Sequence, residues 1–320
     1  MAQTQILLAC YNGRSYLDAQ IRSVVSQSEA DWQLLMRDDG SFDGTNAILR
    51  AWAQRDARIR LLADHKATGG AMTNFRLLAA AATAPYVMFC DQDDVWHPDK
   101  LQKTQRKMRA MERQFGTDTP ILVHSDLRVV DQDGREIAPS MAGYQKLDLM
   151  RTSFCQLLSQ NVVTGCTVMV NRALMDLAGP WPDQAVMHDW YLALVAACFG
   201  KIGLVEEATI DYRQHGHNQV GSKNAGSAQY VAKRATETKK SRQVLLDTYA
   251  QAGAFVAQYG EKMPPAYYEA ACAFAAMPQK HKLARLYTLT KYRLWKGGLV
   301  RKIGQCFLCE HALHASRRFA

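Results

Sequence analysis

Over its first 120 residues the chain alternates short apolar runs of β character with stretches of helical spacing, and this alternation limits the fold more than any other feature. Residues 5–9, 32–36, 58–63 and 86–90 read as strands. Residues 15–27 carry Leu17, Ile21, Val24 and Val25 at helical spacing, and residues 72–82 form an Ala/Leu-rich helix. Asp43 reads as an N-cap ahead of Ala47, Ile48 and Trp52, and Pro98 suits the first turn of a long helix to about Phe115. Strands alternating with helices build βαβ units. The pattern therefore predicts a largely parallel sheet covered by helices on both faces, in the style of a nucleotide-binding half-domain.

After Pro120 the pattern changes. Residues 121–130, 162–171, 201–205 and 208–215 read as strands, 150–159 and 188–199 as helices, and the chain is mostly helical from about Ala225. The Gly/Ser/Asn-rich stretch 222–227 marks the expected boundary between a main domain, 1–224, and a helical, basic C-terminal region, 225–320. The mix of 48% hydrophobic and 22% charged residues excludes a collagen-like or largely disordered chain. Eight cysteines sit mostly in apolar runs and read as reduced core thiols, with Cys306 and Cys309 as two thiols on one helix. The N-terminus shows no basic leader and no run approaches the roughly 18 apolar residues of a membrane span, so a cytoplasmic protein is expected.

The net charge of +9 suggests a nucleic-acid binder until it is mapped. Residues 278–309 hold eight Lys or Arg and no acid, and without them 31 basic residues face 30 acidic ones. The basicity belongs to one segment, which argues against nucleic acid as the partner.

Acidic residues cluster after two expected strands, in RDDGSFDGT (Asp38, Asp39, Asp43) and in CDQDDVWHPDKL (Asp91, Asp93, Asp94). In a parallel α/β sheet ligands bind outside the carboxyl ends of the strands, so both clusters are expected to face one crevice. For the first cluster, turn and capping chemistry explains the residues as well as ligand binding does. In the second, carboxylates crowded within four residues repel one another, and a divalent cation is the usual relief.

Six segments in order, CYNGRSYLDAQIRSVVSQS, DDGSFDGT, DQDDVWHPDKL, TGCTVMVN, HDWYLALVAACFGKIG and YRQHGHNQVG, resemble the family 2 glycosyltransferases of GT-A fold. The second half is most similar in style to bacterial rhamnosyltransferase-like members that build surface polysaccharides. The resemblance implies a Rossmann-like, mostly parallel sheet flanked by helices, with the helical region as a C-terminal extension. It makes 1–117 the nucleotide half and 118–224 the acceptor half. Cys10 stands where many members have Ser or Thr, and His188 where many have Glu.

What the family implies can be set against each residue. Tyr11 matches the ring that stacks on the base, and an aromatic at a strand end equally suits a core. Asp39 matches the carboxylate that accepts the N3–H of uracil, a donor thymine shares, so UDP and dTDP stay open. Asn74 lies in the stretch that lines the nucleotide pocket, where helix capping explains it as well. Asp91-Gln92-Asp93 matches the D-x-D motif, with Asp93 as metal ligand and Asp91 supporting the ribose or an ordered water. His215 matches a further metal ligand, and this donor set selects Mn²⁺ or Mg²⁺. Asp189 matches the general base, placed where a helix N-terminus favours an ionised carboxylate; a plain N-cap is the other reading. His188 and Trp190 flank it and are expected to shape the acceptor pocket. Residues 216–222 are expected to order over the diphosphate.

The implied reaction is inverting transfer of a sugar, with L-rhamnose a candidate, from a dTDP- or UDP-sugar to a glycan or lipid-linked glycan. A glycoside hydrolase needs two carboxylates but neither D-x-D nor nucleotide. A nucleotidyltransferase carries a glycine-rich basic first loop, which CYNGRSY is not, and a non-catalytic nucleotide-sugar binder would bind donor without turnover. Within 278–309 the basic residues are interleaved with Leu283, Tyr287, Leu289, Leu294, Trp295, Leu299 and Val300. This composition suits a helix in the interface of an anionic membrane, broken at Gly297-Gly298, and suits equally an apolar stripe docked on the protein. Peripheral attachment to the cytoplasmic face of the inner membrane is the expectation drawn from the family.

Overall fold

The computed structural model describes residues 2–64, 67–216 and 238–308. The described residues fall into two compact units, one built from those up to 141, 163–181 and 200–216, the other from 142–162, 182–199 and 238–308.

The first unit holds the sheet. Its strands are β1 (Thr4–Cys10), β2 (Trp32–Asp38), β3 (Ile59–Leu61), β4 (Tyr86–Cys90), β5 (Val95–Trp96), β6 (Ile121–Val130), β7 (Glu136–Ala138), β8 (Met169–Asn171) and β9 (Lys201–Arg213). They run in the order β3-β2-β1-β4-β8-β6-β9-β5, with β7 on β6. The pairs β2–β3, β1–β2 and β1–β4 are parallel, as the alternation predicts. Strand β8 enters antiparallel between β4 and β6, and β6 pairs parallel with β9. The order reverses after β1, which makes the β1/β4 carboxyl ends a topological switch point, the place where α/β sheets bind ligands. Cys10 is level with Asp38 and Leu8 with Cys90, so the loops after β1, β2 and β4 leave the sheet at one edge.

Helices α1 (Leu17–Val25), α2 (Thr45–Arg55), α3 (Ala71–Ala80), α4 (Lys100–Phe115) and α7 (Arg172–Ala178) belong to this unit. Leu17, Ile21 and Val24 form the buried stripe of α1, and Leu101, Met108 and Met111 that of α4. Several boundaries differ from the sequence reading. Gly44, in the left-handed region, is the N-cap of α2, while Asp43 caps from one residue earlier by accepting the Thr45 N–H at 3.0 Å. Helix α4 begins at Lys100, two residues after Pro98. Residues 162–168 are not strand, because a 3₁₀ turn at Gly165–Thr167 interrupts them. The two strands expected over 201–215 join as β9, whose start needs Gly200, since a Cβ there would lie 1.8 Å from the Pro120 carbonyl oxygen.

The second unit contains α6 (Phe154–Ser159), α8 (His188–Phe199), α9 (Thr238–Tyr259), α10 (Pro265–Ala275), α11 (Lys282–Lys291) and α12 (Leu299–Leu308), after the short α5 (Met141–Gln145). Helix α6 starts later than expected, at a capping box formed by Ser153 and Gln156. Phe154 packs against Phe255 and Tyr267 at centroid distances of 5.5 and 4.9 Å, and Tyr191 against Phe255 at 6.3 Å. These rings supply much of the unit's core. Helix α8 buries every residue from Tyr191 to Ala196, which explains why its apolar residues show no preferred face. The expected break falls between α11 and α12, with Gly298 at φ 78°. Arg285 is buried and donates to the Met277 and Pro278 carbonyls, so this cation works inside the fold. Cys306 is half-buried, while Cys309 and the boundary stretch 222–227 lie outside the described residues.

Candidate active site

The crevice edge of the first unit is organised by a buried arginine. Arg37, at the end of β2, is fully buried and donates Nη1 to Asp39 Oδ1 and to Asn74 Oδ1, both at 3.0 Å. Asp39 Oδ1 also accepts the Thr68 N–H at 2.7 Å and the Thr68 hydroxyl at 2.6 Å. Burial pushes the Asp39 carboxyl up, but these bonds and the guanidinium outweigh it and hold it below its ordinary range. Three donors fix Oδ1, and among the described residues no hydrogen bond is made to Oδ2. Asn74 is the fourth residue of α3, so it is not a cap; its Nδ2 donates to the Cys10 carbonyl at 3.3 Å, bracing β1 against Arg37. Asp38 has a structural part, accepting from the Ser41 hydroxyl and Asn46. Tyr11 is 53% exposed, with its ring edge-on to Phe42.

The acidic loop after β4 meets the end of β9 through β5, whose Val95 pairs antiparallel with Asp211. Stepping back from Val95 and forward from Asp211 brings Asp93 opposite Arg213, two residues before His215. His215 Nε2 lies 2.9 Å from Asp93 Oδ2. The imidazole stacks on Tyr16 at 4.8 Å, and Arg213 covers the same ring at 5.0 Å while donating Nε to the Asp93 carbonyl. The structure thus brings together the two residues expected as metal ligands.

Asp91, Asp94 and Cys166 each place a ligand atom within 4.8 Å of the others. Asp94 and Cys166 lie deepest. Burial, with Asp93 and Asp91 beside it, pushes the Asp94 carboxyl far up, and burial with Asp94 and Asp91 nearby does the same to the Cys166 thiol. Both side chains are also fully buried, at 0% and 1% exposure. The half-buried donors of this region are the Asp91 and Asp93 carboxylates and the His215 imidazole, a hard, oxygen-rich set that fits Mg²⁺ or Mn²⁺. Lys100 lies fully buried in the same region, with Nζ 4.8 Å from the Trp96 ring centroid and 3.4 Å from Thr209 Oγ1. Burial lowers its pKa to about 8.

In the second unit Asp189 stands in the first turn of α8, 9% exposed, its Oδ1 accepting the Trp190 N–H at 2.7 Å. Trp190 is half-buried and donates Nε1 to the Leu157 carbonyl at 2.6 Å. His188 is 2% exposed, and burial lowers its pKa to about 3, so the imidazole is neutral. Residues 217–222 of the expected diphosphate loop lie outside the described residues.

The profile of glycosyl transferase family 2 matches residues 5–174, more than half of the chain. The chain belongs to this family. A putative teichuronic acid biosynthesis glycosyltransferase, TuaG, of Bacillus subtilis is 31% identical over 173 residues, 52% of this chain and 61% of that protein. The match thus spans about three fifths of that relative's length. A dTDP-rhamnosyl transferase, RfbG, of Shigella flexneri is 24% identical over 237 residues, 70% of this chain and 76% of its own length. Among solved structures, the mannosyltransferase PcManGT of Pyrobaculum calidifontis, in complex with GDP-Man and Mn²⁺, superposes with a TM-score of 0.55 at 15% identity. That match covers 99% of this chain and 82% of the other, and it shows the shared GT-A fold.

Within this glycosyl transferase family 2 frame, sequence reasoning missed Arg37, Gln92, Lys100 and Tyr16. Arg37 sits beside the singled-out Asp38-Asp39 pair, and a charged residue directly after the apolar run Leu34–Met36 was the available signal. Lys100 gave none, because it opens a Lys/Gln/Arg-rich helix where solvated lysines are ordinary.

Proposed function

We propose that the chain is an inverting, metal-dependent glycosyltransferase moving a sugar from a dTDP- or UDP-sugar to a hydroxyl of a glycan acceptor in bacterial surface polysaccharide synthesis. L-Rhamnose is the candidate sugar. The observation that carries the reading is the shared edge of the sheet. There Asp39 keeps one carboxylate oxygen for a base N–H, Tyr11 offers an exposed ring, and Asp93 meets His215. Asp93 and His215, with Asp91 supporting, would hold a divalent cation, and the chemistry it would supply is charge neutralisation at the departing diphosphate. Asp189 takes the proton of the acceptor hydroxyl as that oxygen forms its bond to the anomeric carbon. The bond from that carbon to the diphosphate oxygen breaks, its electron pair leaves with the nucleoside diphosphate, and a single displacement inverts the centre. His188, neutral, and Trp190 position the acceptor. A thermal-shift panel of UDP, dTDP and GDP sugars with Mn²⁺ or Mg²⁺ tests the donor. A metal-dependent rise in melting temperature with UDP or dTDP sugars is expected, and no shift with any donor would contradict the reading.

The same reading places the protein at an anionic membrane surface through α11 and α12. Among the described residues no helix is long and apolar enough to cross a membrane. Leu289 and Leu294 are buried, whereas Leu283, Tyr287, Leu299, Val300 and Ile303 are exposed beside exposed Lys282, Lys291 and Lys302. Apolar side chains among cations suit an interfacial helix, and each cation near anionic lipid contributes about 1 kcal/mol. Flotation with anionic vesicles at low salt is expected to recover the wild type and to lose the Leu299→Ser/Ile303→Ser variant. Equal recovery of both would remove α12 from the account.

A further inference from the structure

We propose that Gln92, the middle residue of Asp91-Gln92-Asp93, is a positioning residue that locks the loop after β1 to the loop after β4, so that both bind one ligand as a unit. The proposal rests on the donor reading above and adds a residue to it. The Gln92 amide makes two opposed bonds with the backbone of a single residue: Oε1 accepts the Tyr11 N–H at 2.8 Å, and Nε2 donates to the Tyr11 carbonyl at 2.9 Å. A side-chain amide offers an acceptor and a donor at once; a carboxylate lacks the donor and an aliphatic chain lacks both.

Gly13 leaves the space this amide fills. A Cβ there would lie 2.3 Å from Gln92 Oε1 and 2.5 Å from its Cδ. Gly13 is not among the glycines of positive φ, so the demand is for room and not for an unusual backbone. The other side of the same loop is tied to the loop after β2, with the Asn12 N–H on Ser41 Oγ and the Gly13 N–H on Thr45 Oγ1, each at 2.8 Å. Gln92 thus closes a link between the residue with the exposed ring and the residue pair that flanks it in the acidic loop. A ligand spanning both loops then orders one preformed unit, and the gain at its base end and at its diphosphate end becomes coupled.

Two substitutions break the clamp from opposite sides. Gln92→Leu removes both bonds, and Gly13→Ala pushes the flexible amide out of its place while leaving the backbone conformation allowed. The measurements are calorimetric affinity for UDP and dTDP with Mn²⁺, and amide exchange at Tyr11 in the ligand-free protein. Each single variant is expected to exchange Tyr11 faster, to keep its ligand-free melting temperature, and to bind the preferred nucleotide about tenfold more weakly. The double variant is expected to bind no more weakly than the worse single one, since both remove the same link. Losses that multiply in the double variant, or unchanged affinity alongside faster exchange, would overturn the positioning role. Unchanged Tyr11 exchange in Gln92→Leu would overturn the clamp itself. A wild type that binds neither nucleotide would instead overturn the donor reading, with the exchange result still deciding the clamp.

Discussion

Asp93→Ala is expected to lower sugar transfer by about 10³-fold or more and to remove the metal-dependent part of nucleotide binding. The side chain is 16% exposed at the crevice, and its carboxylate meets His215. This loop is held to the end of β9 by the β5 pairing, by the Arg213 N–H on Asp94 and by the Asp93 carbonyl, which accepts from Arg213, and all of these survive the substitution. The variant therefore keeps its fold, and loss of function reports on the carboxylate. The comparison to make is donor turnover with Mn²⁺ and with chelator. An Asp93→Ala protein as active as wild type in chelator would take the cation out of the account.

Much of the sheet could be read from the chain because its strands are apolar runs with sharp ends. Tyr86–Cys90 and Ile121–Val130 lie where the residues place them, as does helix His188–Phe199. What escaped was set by partners distant in sequence. Val95–Trp96 is two residues long, and only its pairing with β9 makes it a strand. That pairing carries Asp93 to His215, so the geometry of the pair could not be read although both residues could. Asp39 was visible as a carboxylate, but Arg37 and Thr68, which fix its Oδ1, were not. Lys100 shows the same limit, since an amphipathic helix pattern does not reveal which lysine lies under the acidic loop.

Asp189→Asn carries the second large effect, a loss of transfer of about 10²–10⁴-fold with donor binding retained. Asparagine keeps an oxygen to accept the Trp190 N–H, so the start of α8 is preserved while the proposed proton acceptor is lost. If donor binding falls as far as turnover, Asp189 has a structural or ligand-binding part; a near-normal rate would move the base elsewhere.

The nucleoside diphosphate is expected to bind through a cation held by Asp93 and His215. Titration of UDP and dTDP into the wild type and Asp93→Ala, each with Mn²⁺ and with chelator, tests it most directly. Wild-type binding that strengthens with Mn²⁺, against Asp93→Ala binding that does not respond to the metal, is the predicted result. Equal responses of the two proteins to Mn²⁺ would contradict it.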